Sequence, residues 1–96
     1  MTDLEITRLV AEAMGITEWL TADDPMVTNE AGDFIEPYDP LHDDAQCMQL
    51  VKRFNIALGW NDPGWGAFRQ DTKRWVNDPD LNRAICECVA NMQAAK

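Results

Sequence analysis

Ile56-Ala57-Leu58-Gly59-Trp60-Asn61-Asp62-Pro63-Gly64-Trp65-Gly66-Ala67-Phe68-Arg69-Gln70 is the stretch whose reading decides the fold. Ile56, Leu58 and Trp60 alternate with small residues, the two-residue period of a half-buried strand. Asn61-Asp62-Pro63-Gly64 is a dense turn signal. Gly66 to Gln70 and Arg74 to Asn77 then read as two strands joined through Asp71-Thr72-Lys73. The economical arrangement of these pieces is an antiparallel three-strand meander.

Working outward, the period changes to that of helices on both sides. Before the meander, Cys47, Leu50, Val51 and Phe54 make one apolar stripe, and a helix is expected between Pro40 and Phe54. Asp39-Pro40 offers it an N-cap and a first-turn proline, and Asp43, Asp44, Lys52 and Arg53 suit the helix dipole. After the meander, Asp78-Pro79-Asp80 opens a helix carrying Leu81, Ala84, Ile85, Cys88, Val89 and Met92 on one stripe. Its tail, Gln93 to Lys96, lacks an apolar anchor and is expected to fray. At the start of the chain, Thr2-Asp3-Leu4-Glu5 fits a capping box. A helix over residues 3–14 follows, with Ile6, Leu9, Val10, Ala13 and Met14 as its stripe and Gly15 at its end. For residues 16–38 the pattern suggests a loose hairpin, Glu18-Trp19-Leu20 against Asp33-Phe34-Ile35 around Asn29-Glu30-Ala31-Gly32.

These elements give one α+β domain over residues 1–96, three amphipathic helices packed with a small antiparallel sheet. The expected core is Leu9, Val10, Ala13, Leu50, Val51, Phe54, Ile56, Leu58, Ile85, Val89 and Met92.

Charge narrows the function classes. The net charge is −9, and from Leu9 to Val51 there is no Lys or Arg but ten acids. From Lys52 to Lys96 seven basic residues face five acidic ones. Neutralising phosphates takes a basic face that this chain cannot make large, so direct nucleic-acid binding is not expected. No apolar run reaches the length of a membrane span, and MTDLEITRLV is no signal peptide, so the expected location is the cytoplasm. Cys47, Cys86 and Cys88 read as free thiols of a reducing compartment.

Three blocks in order carry a resemblance. Leu9-Val10-Ala11-Glu12-Ala13-Met14-Gly15, then Pro37-Tyr38 leading into Asp43-Asp44-Ala45, then Asn82-Arg83-Ala84-Ile85-Cys86 resemble the phage ABA-sandwich domain family. The resemblance covers the helical blocks, roughly half of the chain. It implies a phage or prophage origin, action in the host cytoplasm and an α-β-α layering. It carries over no catalytic residue.

No conventional catalytic set stands out. Cys86 and Cys88 point about 200° apart on a helix, and a zinc site needs further ligands, so no structural zinc is expected. His42 and Cys47 lie more than a turn apart, too far for a base and its nucleophile. Neither Asp23-Asp24 nor Asp43-Asp44 completes a calcium loop, and no phosphate-binding glycine motif occurs. No cofactor is expected. Trp60, Trp65, Phe68 and Trp75 crowd the meander beyond what so small a sheet needs, which suggests an exposed aromatic patch.

The sequence therefore points to a non-enzymatic accessory protein that binds a host protein. Glu18, Asp23, Asp24, Glu30, Asp33 and Glu36 would form an anionic face for a partner with a basic surface. Inhibition of a host defence complex by partial mimicry of nucleic acid fits this picture. Trp60, Trp65, Phe68 and Trp75 are the alternative contact patch. The competing reading is a small-molecule sponge or sensor, its Trp-lined pocket closed by Arg69, Lys73 or Arg74. Homo-oligomerisation is left open.

Overall fold

The structure, a computed structural model, describes residues 1–16, 19–21, 24–28, 35–61, 64–69 and 73–96. In chain order the elements are α1 (Asp3–Ala13), β1 (Trp19–Thr21), β2 (Asp24–Thr28), β3 (Ile35–Pro37), α2 (Asp44–Phe54), β4 (Ala57–Asn61), β5 (Gly64–Arg69), β6 (Arg74–Asp78) and α3 (Leu81–Ala94). This is the α+β class. Two three-stranded antiparallel sheets, in the orders β1-β2-β3 and β4-β5-β6, accompany the three helices.

Each helix starts where a side chain relieves free backbone N–H groups. The Thr2 hydroxyl accepts from the Glu5 N–H at 3.2 Å and caps α1. Gly15, at φ 72°, closes α1 with both bonds of a Schellman turn, its own N–H to Glu12 O and the Ile16 N–H to Ala11 O. The second helix begins later than its Asp39-Pro40 signal suggests. Asp39 instead opens a turn, accepting the N–H groups of His42 and Asp43 on its carbonyl. Asp43 is the N-cap, and its carboxylate takes the Gln46 N–H at 3.0 Å. Two cap-competent aspartates lie four residues apart, and the intervening turn leaves the second to start α2. Asp80 caps α3 in the same way, accepting from the Arg83 N–H at 3.0 Å.

The last helix is the centre of the molecule. It packs on α1 and α2 with one side and on β5 and β6 with the other. Ala84, Ile85, Cys86, Cys88, Val89, Ala90 and Met92 are all buried, more than one stripe can hold. Small side chains at Ala84, Cys86, Cys88 and Ala90 let neighbouring elements approach closely. The helix runs into the tail expected to fray. The helix continues through Ala94, with Met92 buried and Gln93 half-buried. Side chains at its first turns join the helices. Asn82 Nδ2 donates to Asp44 Oδ1 at 2.8 Å, while Arg83 pairs with Asp3 and donates to Met1 O at 2.9 Å.

Of the expected core, Val10, Leu50, Ile56, Ile85, Val89 and Met92 are buried, and Leu9, Ala13, Val51 and Phe54 pack partly buried against them. Leu58 is the exception, at 36% exposure. It sits on β4, the outer strand of its sheet, which α3 does not reach in its main packing on β5 and β6. Tyr38 and Leu41 join the core from the segment before α2. Buried Gln46 fixes that segment, accepting the Asp39 N–H at 2.6 Å and donating to Pro37 O at 2.9 Å.

The meander forms as the alternation predicts, with Trp60 opposite Trp65 and Phe68 opposite Trp75. Lys73, at φ 54°, completes the β5–β6 turn and donates its N–H to Arg69 O. In the 16–38 region the strand pairing differs from the expected hairpin. Trp19 pairs with Pro25, and Ile35 pairs with Thr28, so β2 stands between the two segments. Two of its residues, Val27 and Thr28, are β-branched strand formers whose signal the surrounding acids obscured. The expected turn residues, Asn29 to Gly32, lie outside the described residues.

Candidate interaction surface

The register of the meander sorts its side chains onto two sides. Trp65, Ala67 and Val76 turn toward α3, where Ala67 is fully buried and Trp65 and Val76 pack against the core. Trp60 lies on this side too, in edge contact with Trp65 at 5.2 Å between ring centres and 76° between planes. It is nonetheless 60% exposed. Phe68 and Trp75 face the other way, their ring centres 5.0 Å apart. The four aromatics therefore do not line one pocket. They form two pairs on opposite sides of one sheet.

Trp75 is positioned by glycine. Its six-membered ring crosses β5 at Gly66 and reaches Gly59 on β4. A Cβ on Gly66 would meet the ring at 2.9 Å and one on Gly59 at 3.8 Å. The missing side chain at Gly66 lets the indole settle onto the backbone, an aromatic covering strand glycines. Trp75 nonetheless remains 55% exposed. A shallow notch of about 380 Å³ lies beside it, lined by Gly59, Trp60, Trp75 and Asn77. Among the described residues the only element packed extensively on the meander is α3, on the opposite side.

The three cations expected to close a Trp pocket gather at the β5–β6 turn. Arg69 stacks over the Phe54 ring at 5.2 Å on the helix side, with Arg74 opposite it in register. Arg74 also lines a wider groove of about 730 Å³ between β6 and the end of α3, shared with Trp75, Val76, Cys88 and Asn91. Lys73 is exposed in the turn.

Of the expected anionic face, Asp24 lies on β2 and Glu36 on β3. Glu18, Asp23, Glu30 and Asp33 lie outside the described residues. Asp43 and Asp44 act at the start of α2, one as its cap and one as acceptor from Asn82.

The reactive side chains divide between the surface and the core. His42 Nδ1 lies 2.8 Å from Asp39 Oδ2, both well exposed beside a groove of about 340 Å³ that Asp3, Leu4 and Thr7 also line. Cys47 is turned inward instead, 1% exposed, with its thiol 3.7 Å from Asn82 O. Cys86 hydrogen-bonds Cys47 across the α2–α3 contact, and this bond together with burial raises its thiol far above the ordinary range. Burial likewise raises Tyr38, whose hydroxyl has no hydrogen-bond partner among the described residues. Sequence reasoning missed this Tyr38–Cys47–Cys86 group, because Cys86 falls off the apolar stripe of α3. Among the described residues no cluster of three or more His, Cys, Asp or Glu is placed to hold a metal ion, and no helix is long and apolar enough to cross a membrane. No family model matches this chain, and neither a curated protein nor a solved structure matches it significantly.

Proposed function

We propose that this chain is a non-catalytic protein-binding factor that docks through the exposed aromatic residues of its meander. The observation that carries this reading is the exposure of Trp60 and Trp75, at 60% and 55%, on a sheet that among the described residues only α3 packs against extensively. Tryptophans are enriched among residues that dominate interface energy, and leaving two so open in a chain of 96 residues favours a binding role. The acidic stretch between Glu18 and Asp44 complements the patch by drawing in a partner with a basic surface. With the phage or prophage origin that the resemblance implies, that partner is a host protein such as a component of a defence complex.

The test is affinity capture with the intact chain, followed by binding kinetics on the purified partner. Trp60→Ala and Trp75→Ala together should weaken binding by at least about tenfold, the effect of losing hot-spot residues. Reversing Asp23, Asp24, Glu30 and Asp33 to lysine should slow association more than it alters dissociation. A folded double tryptophan variant that binds as the parent does would remove the meander from the interface. The small-molecule reading keeps one location, the groove between β6 and α3, whose size is that of a ligand pocket. A ligand that raises the melting temperature and depends on Arg74 would favour it.

A further inference from the structure

Trp75 offers something more specific than apolar area. The register places Ala57, Gly59, Gly66, Phe68, Trp75 and Asn77 on the side of the sheet away from α3. Both arginines of the meander, Arg69 and Arg74, alternate to the other side. The indole thus lies on glycine backbone with more than half of the residue open to solvent, next to Phe68 and the notch at Asn77. Lys73 and Arg74 precede Trp75 at the turn, yet among the described residues no cation stacks on its ring, and such an aromatic face on a chain of net charge −9 is a site for a cation.

We propose that Trp75 receives an arginine of a basic protein partner, its guanidinium stacked on the indole and its stem lying along the notch lined by Gly59 and Asn77. The proposal rests on the protein-binding reading and names the chemistry of its contact. Charge complementarity selects the occupant. The excess of acids opposes a nucleic acid and favours a basic polypeptide, and a planar guanidinium stacks on an aromatic face better than an ammonium does. The shallow notch suits the end of one long side chain rather than a buried ligand.

The experiment follows the four tryptophan indole N–H signals of the intact protein by NMR. The probes are peptides of equal length built on Gly-Arg-Gly, Gly-Lys-Gly and Gly-Glu-Gly repeats, a proline-rich peptide and a single-stranded oligonucleotide. The arginine peptide should shift the Trp75 signal most, bind several-fold tighter than the lysine peptide and weaken as salt rises. Trp75→Leu keeps an apolar cover on Gly66 and should abolish the response, Trp75→Phe should leave part of it, and Met48→Ala, at an exposed position on α2, should leave it intact. A response to arginine that survives in folded Trp75→Leu would overturn the proposal. So would no response to arginine, or a Trp75 response confined to the proline-rich peptide or the oligonucleotide. A protein partner whose binding needs Trp60 but not Trp75 would overturn the arginine site and leave the protein-binding reading standing.

Discussion

Tyr38 shows how a single residue can be costly and still be retained. Its side chain is 3% exposed, and its hydroxyl lacks a hydrogen-bond partner among the described residues. A buried hydroxyl without a partner costs about 1–3 kcal/mol. Removing the oxygen while keeping the ring should therefore leave stability unchanged or raise it by up to about 1 kcal/mol. Urea unfolding of Tyr38→Phe measures this, and a loss of stability would mean that the hydroxyl is satisfied. Gly66 makes the opposite case. Its Cβ would press on the Trp75 ring at 2.9 Å, so Gly66→Ala must displace the indole. The expected cost is about 1–3 kcal/mol, as for overpacking elsewhere, with a shifted Trp75 indole signal as the local readout. Neither effect was legible in the sequence. A glycine in a strand and a tyrosine before a helix each have many uses, and only their neighbours decide which applies.

At the scale of elements, apolar periodicity located all three helices and the meander but ranked their residues unevenly. Leu50 and Ile85 are buried on facing helices, at 0% and 1% exposure. Leu50→Ala and Ile85→Ala should each cost about 2–5 kcal/mol, the usual cavity cost. Leu58 belongs to an equally regular pattern, yet its strand is an edge and the residue is 36% exposed. Leu58→Ala should cost under about 1 kcal/mol, as exposed positions do. Equilibrium denaturation of the three variants tests this ordering, and equal losses at Leu58 and Leu50 would contradict the edge position of β4. The third helix deviates in the other direction. Its Cys86 and Ala90 are buried off the apolar stripe, since the helix is enclosed by α1 and α2 as well as by the sheet.

Over the whole molecule, the buried Cys86 thiol and Tyr38 phenol link stability to pH. Both are raised in the folded state from ordinary values of 9.0 and 10.0. The folded protein therefore holds these protons more tightly than the unfolded chain does. Their contribution is full below pH 9.0 and is lost as the pH climbs above the ordinary values toward the raised ones. Stability should thus fall progressively on the alkaline side, and the Cys86→Ala, Tyr38→Phe double variant should fall less steeply. A flat profile from pH 9 to 11 in the parent would show that neither group is as enclosed as the fold places it.

The sequence by itself determined the α+β class, the positions of the helices and the three-strand meander, because caps, turns and periodicity act over neighbouring residues. It also determined the charge asymmetry between the two halves, which is composition and needs no fold. Tertiary structure alone decided that α3 lies at the centre, that β4 is an edge and that β2 separates Trp19 from Ile35. It also split four clustered aromatics into pairs on opposite sides of one sheet, leaving Trp60 and Trp75 exposed. Alternation along a strand assigns residues to two faces. Which face is covered, and how far the cover extends, depends on where distant elements pack.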